Sequence, residues 1–93
     1  MLQLQVINFK PGSYIVVEGK SDSDRFFIIQ KGLVSCFKSS GSGIKPFSLG
    51  PGDFVGVVPC MSGHLQIETA IARTDVTVIA VKKEQYSELI VNN

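Results

Sequence analysis

Leu49-Gly50-Pro51-Gly52-Asp53-Phe54-Val55-Gly56, followed by Val57 to Leu65 and then by Gln66-Ile67-Glu68-Thr69-Ala70-Ile71-Ala72-Arg73-Thr74-Asp75, is the stretch that decides how this chain folds. A Gly-Pro-Gly-Asp turn releases a short apolar strand, Gly56 ends it, and a compact segment intervenes before a second β-rich run. Pro59 suits the first turn of a short helix, where its locked φ and missing N–H are tolerated, and Ser62-Gly63 suits the end of one. Such a helix has only about one or two turns and needs tertiary packing to persist. A strand, a helical elbow and a strand often frame a ligand site, because a helix start presents free N–H groups and a partial positive charge.

On either side of this stretch the chain reads as short strands separated by turn signals. From Met1 to Asn8, Leu2, Leu4 and Val6 alternate with Gln3 and Gln5, which predicts a strand with the leucines and Val6 on its buried face. Lys10-Pro11-Gly12-Ser13 turns the chain into a strand over Tyr14–Glu18, and Gly19 to Asp24 forms a polar surface loop. Arg25–Gln30 and Leu33–Lys38 read as partner strands joined tightly at Lys31-Gly32. Ser39 to Gly43 makes a flexible hairpin tip and Ile44–Leu49 returns. Beyond the elbow, Ile67–Arg73 and Val76–Val81 are two further strands joined at Thr74-Asp75. Seven or eight such strands indicate an antiparallel sandwich or jelly roll. The period then changes, since Tyr86, Leu89 and Ile90 share one face of a helix over Lys83–Val91.

Composition narrows the function classes. Ninety-three residues, 44% of them apolar and 18% charged, make a single globular domain over residues 1–93. Nine basic and eight acidic residues, with no long block of either sign, give nucleic-acid binding no support. No apolar run approaches the roughly 20 residues that span a bilayer. Cys36 and Cys60 match no metal or redox spacing, no secretory signal precedes them, and they read as reduced, partly buried thiols of a cytoplasmic protein.

The punctuation as a whole carries a resemblance. Phe9-x-Pro11-Gly12-x-x-Ile15-x-x-Glu18-Gly19, then Phe27-Ile28-Ile29-x-x-Gly32-x-Val34, then Gly50-x-Gly52-Asp53-Phe54-x-Gly56 resemble the cyclic nucleotide-binding domains of bacterial catabolite activators, kinase regulatory subunits and gated channels. The similarity covers nearly the whole chain. It implies a mainly β fold, an antiparallel β-roll (double-stranded jelly roll) with a short cassette helix and a C-terminal helix. It also implies a phosphate-binding cassette, in the family usually Gly-Glu-Leu-Ala-Leu, a few residues, then Arg-x-Ala-Thr-Val. There the Glu takes the ribose 2′-hydroxyl and the Arg pairs with the cyclic phosphate. Laid on this chain without gaps, the cassette falls on Gly56, Val57, Val58, Pro59, Cys60, Gln66, Ile67, Glu68 and Thr69. Val57 stands in place of the Glu and Gln66 in place of the Arg. The resemblance therefore implies the family architecture with altered ligand chemistry.

Glu68 either repels an anion from the pocket or is a solvent-facing strand residue. His64, the sole histidine, is polar surface, and one His with scattered acids does not supply a metal site of the cupin kind. Arg73 and Arg25 could reach the pocket in place of the missing Arg, or lie in solvent. Ser13, Ser62 and Asp53 make no triad, and nothing argues for catalysis. The pairs Phe26-Phe27 and Val57-Val58 read as core, with Val57 a candidate lining for an emptied pocket. The expectation is a non-enzymatic regulatory or sensor module without cofactor or metal. Its partner is a small molecule, with cyclic nucleotide bound weakly or not at all, or a protein segment or second copy. Neither nucleic acid nor membrane is expected to bind this chain. The alternative is a ligand-free structural or interaction domain.

Overall fold

The computed structural model describes residues 4–20, 24–38, 46–63 and 65–86. In chain order these form β1 (Gln5–Phe9), β2 (Tyr14–Val16), β3 (Arg25–Lys31), β4 (Val34–Phe37), β5 (Phe47–Leu49), β6 (Phe54–Val55), α1 (Val57–Ser62), β7 (Thr69–Ala72) and β8 (Val76–Lys82). Residues 83–86 are helical. The remainder of the expected C-terminal helix, the tip Ser39 to Gly43 and His64 lie outside the described residues.

Two four-stranded antiparallel sheets face each other, one ordered β1-β8-β3-β6 and the other β2-β7-β4-β5, so the mainly β, roll-type expectation holds. The period of two directs Phe27, Ile29, Val55, Val76 and Val78 of the first sheet towards Val34, Cys36, Ala70 and Ala72 of the second. A smaller cluster, Phe26, Cys60 and Val81, lies on the outer face of the first sheet, where Leu4, Val57 and Tyr86 pack against it. It fixes α1 and the helical turn to the roll.

Three readings of the sequence need correction. Val6 is 58% exposed, and Ile7 and Phe9 are the β1 residues that pack on the main core. The strand carries apolar groups on both faces because one meets the inter-sheet core and the other lies towards the helical side. Alternation alone could not choose between them.

β3 and β4 are not a hairpin pair. β3 pairs with β8 and β6, whereas β4 pairs with β7 and β5, so Lys31-Gly32 carries the chain from one sheet to the other. The link between β7 and β8 crosses at the same place. Leu33 N–H donates to Thr74 Oγ1 at 3.0 Å and Arg73 N–H donates to Leu33 O at 2.8 Å. Gly32 has φ +94°, and a Cβ there would collide with the Asp75 carbonyl oxygen. Only glycine fits both demands.

The third correction is Val58, which is 60% exposed rather than core, while Phe26 and Phe27 are both buried, in different clusters. No helix among the described residues is long and apolar enough to cross a membrane.

Candidate functional site

β6 ends at Gly56, whose left-handed φ of 77° turns the chain directly into α1. No side chain caps the helix, and Pro59 removes one of the first-turn donors. Ser62 Oγ donates to Val58 O at 2.8 Å, and Gly63, again left-handed, closes the helix by donating its N–H to Pro59 O at 2.8 Å. The chain then returns alongside the β2 end. Gln66 N–H donates to Lys20 O and Gly19 N–H to Gln66 O, each at 2.9 Å, and Glu18 N–H donates to Thr69 Oγ1 at 3.1 Å.

These constraints close a recess lined by Phe54, Gly56, Val57, Val58, Pro59, Gln66, Ile67 and Glu68. Its volume is about 70 Å³, against roughly 10–15 Å³ for one buried water on the same kind of measure. Seven of the nine sequence-predicted residues line it. Cys60 turns instead into the smaller cluster, and Thr69 is buried with its hydroxyl held by Glu18 N–H. Phe54, half exposed and tilted at 56° against Phe26 with the ring centroids 5.8 Å apart, is the lining residue that the sequence places only as a strand residue.

Gln66 is the buried polar residue of the recess, 3% exposed. Its carboxamide lies over Gly56, where an added Cβ would meet Oε1 at 3.5 Å and Nε2 at 3.7 Å. Oε1, one end of a carboxamide that is otherwise engaged, accepts no hydrogen bond among the described residues. Glu68 is half-buried, and it is the one charged residue among those lining the recess. Burial, and secondarily the Glu68 carboxylate, push the Cys36 thiol up to about 12. Burial also raises the Cys60 thiol, with Asp24 and Glu84 adding to the rise and Lys83 opposing it. Arg73 is exposed, and neither it nor Arg25 lines the recess.

The profile of the family described as "Cyclic nucleotide-binding domain" matches residues 6–93. The chain belongs to the cyclic nucleotide-binding domain family. Three solved structures of this fold are similar over nearly all of it. The regulatory domain of Toxoplasma gondii PKA, co-crystallised with cAMP, has a TM-score of 0.81 and 26% identity, covering 94% of this chain and 34% of that one. The regulatory subunit of a cAMP-independent protein kinase A from Trypanosoma brucei has a TM-score of 0.80 and 26% identity, covering 91% and 30%. A triple mutant of that subunit, bound to cAMP in its A site, has a TM-score of 0.79 and 25% identity, covering 91% and 32%. One of its substitutions introduces an arginine for a threonine and another an alanine for a glutamate. The chain thus spans about a third of the length of these structures. No curated protein matches it. As a cyclic nucleotide-binding domain it is a regulatory-type module, and its recess occupies the elbow between β6 and β7.

Proposed function

We propose that this domain is a non-enzymatic regulatory or sensor module whose recess has lost effective binding of cyclic nucleotides. The observation that carries this reading is the charge of the recess: among the described residues no lining residue is cationic, Gln66 is buried where the resemblance puts the phosphate-pairing arginine, and Glu68 supplies a carboxylate. A neutral carboxamide can donate to a phosphate but cannot neutralise it, and Val57 cannot accept from a ribose hydroxyl. Each lost charge-assisted bond is worth about 1.5–3 kcal/mol, so the pair weakens binding by roughly a hundredfold or more. Glu68 opposes an anion further, because like charges repel more strongly in a partly desolvated site. The similar trypanosome subunit belongs to a cAMP-independent kinase, and its variant bound to cAMP carries three substitutions, two of which gain an arginine and lose a glutamate, a change of charge in the direction argued here.

Phe54, Val58 and Ile67 are exposed at the mouth of the recess and favour a second reading, an interaction domain that docks an apolar protein segment there. Calorimetric titration of the domain with cAMP and with cGMP tests the first. No saturable heat below millimolar nucleotide is expected, and a micromolar dissociation constant for either would overturn it.

A further inference from the structure

A second cleft lies at the end of the sandwich where the chain leaves the roll, and it shares no lining residue with the recess. Its lining is Gln5 of β1, Arg25 of β3, Ala80 and Lys82 of β8, and Gln85 of the helical turn, and its volume is about 180 Å³. Arg25 and Lys82 are direct cross-strand partners, as are Gln5 and Ala80. Like charges set opposite each other in an antiparallel pair destabilise it. Among the described residues, none that lines the cleft is acidic. Asp24 and Glu84, the nearest carboxylates in sequence, act on the Cys60 thiol on the outer side of the sheet.

The Arg25 guanidinium is also held in place. Arg25 Nη1 donates to Gln5 Oε1 at 3.3 Å, and the guanidinium carbon stands 5.6 Å from the centre of the Phe27 ring, so the planar group is fixed on two sides with most of its donors unused by these contacts. Lys82 N–H donates to Gln85 Oε1 at 2.9 Å, which folds the first helical turn back over the strand end.

We propose that this cleft is an anion site that takes a compact oxyanion of the phosphate class, bridged between the Arg25 guanidinium and the Lys82 ammonium. Two cations lining one cleft, one of them preorganised, match a phosphate group that bears charge on several oxygens. Binding relieves the repulsion of the pair and fastens the turn at residues 83–86 to the sheet through Lys82 and Gln85. This site is independent of the cassette reading, since it shares no residue with the recess.

The test is a titration of the isotope-labelled domain followed by amide NMR at constant ionic strength in chloride. Inorganic phosphate and glycerol 2-phosphate are added in separate arms. Saturable shifts centred on Gln5, Arg25, Lys82 and Gln85 are expected. Tighter binding of the ester would assign the site to a phosphorylated metabolite, and equal binding to the free ion. Lys82→Gln should weaken binding on the order of tenfold or more. In chloride it should melt at or above the parent temperature, because it removes one of the opposed charges. Lys10→Gln, an equal change of charge outside the cleft, should leave the affinity unaltered. Shifts that fail to saturate, or equal weakening by Lys82→Gln and Lys10→Gln, would overturn the proposal.

Discussion

Replacing Gly32 by alanine is expected to be far more damaging than the same change at a glycine with equally positive φ but open surroundings. At φ +94° an L-residue costs about 1–2 kcal/mol in backbone conformation alone. The new Cβ would also collide with the Asp75 carbonyl oxygen and stand 2.9 Å from both Thr74 Oγ1 and Val76 Cγ2. The two sheet crossings would have to separate. That motion strains the bonds spanning them, Leu33 N–H to Thr74 Oγ1 and Arg73 N–H to Leu33 O. Losing either adds about 0.5–1.5 kcal/mol. With one bond lost the sum is about 1.5–3.5 kcal/mol, a large part of the roughly 5–15 kcal/mol that holds a domain together. Since 1 kcal/mol moves Tm by about 4–8 °C in a domain of this size, a fall on the order of 10–20 °C is expected. Gly12, at φ +89° with no heavy atom within 4 Å of an added Cβ, is the control and should lose only the conformational part. Urea and thermal denaturation of both variants measure the difference. Equal stabilities for Gly32→Ala and Gly12→Ala would show that the crossing relaxes freely and that the steric argument is wrong.

Three further outcomes follow from burial. Cys36 and Cys60 are fully enclosed and their thiols raised, so neither should react with a disulfide reagent in the native domain at pH 8, while both should react in denaturant. With its native value above its unfolded one, Cys36 leaves stability flat below about pH 9 and erodes it as pH rises from 9.0 towards about 12, which alkaline denaturation would measure. Gln66→Arg alone places a cation at a position only 3% exposed and should cost about 2–4 kcal/mol in urea denaturation, with Glu68 the carboxylate available to limit the loss.

Much of the fold is legible in the sequence because turns and crossings demand glycine and because alternating apolar residues demand strands. The Gly-Pro-Gly-Asp turn is read correctly. Gly52 N–H donates to Ile29 O at 2.8 Å and Gly50 N–H donates to Asp53 Oδ2 at 2.8 Å, so Asp53 acts as a turn residue. What could not be read depends on partners distant in the chain. Val6 pairs with Ile79, and nothing in residues 4–9 says that the core lies on the Ile7 side. Lys31-Gly32 looks like a hairpin turn until Asp75 is placed against it. The resemblance places the cassette segment by its glycine and its register. That Gln66 would be buried over Gly56, that Phe54 would form a wall, and that Arg25 would lie at another cleft are all consequences of tertiary packing.

The most direct test of the central claim compares the parent with the triple variant Val57→Glu, Gln66→Arg, Glu68→Ala in one set of calorimetric and thermal-shift titrations with cAMP and cGMP. The new glutamate offers a ribose acceptor, the arginine a phosphate partner, and removal of Glu68 lifts the opposing charge. Without ligand the variant should be less stable than the parent, since its arginine is buried. Nucleotide should return that stability by mass action and bind on the order of a hundredfold or more tighter than it binds the parent. Two folded proteins that both fail to bind, or a parent that binds as well as the variant, would contradict the claim that charge at positions 57, 66 and 68 decides what this recess accepts.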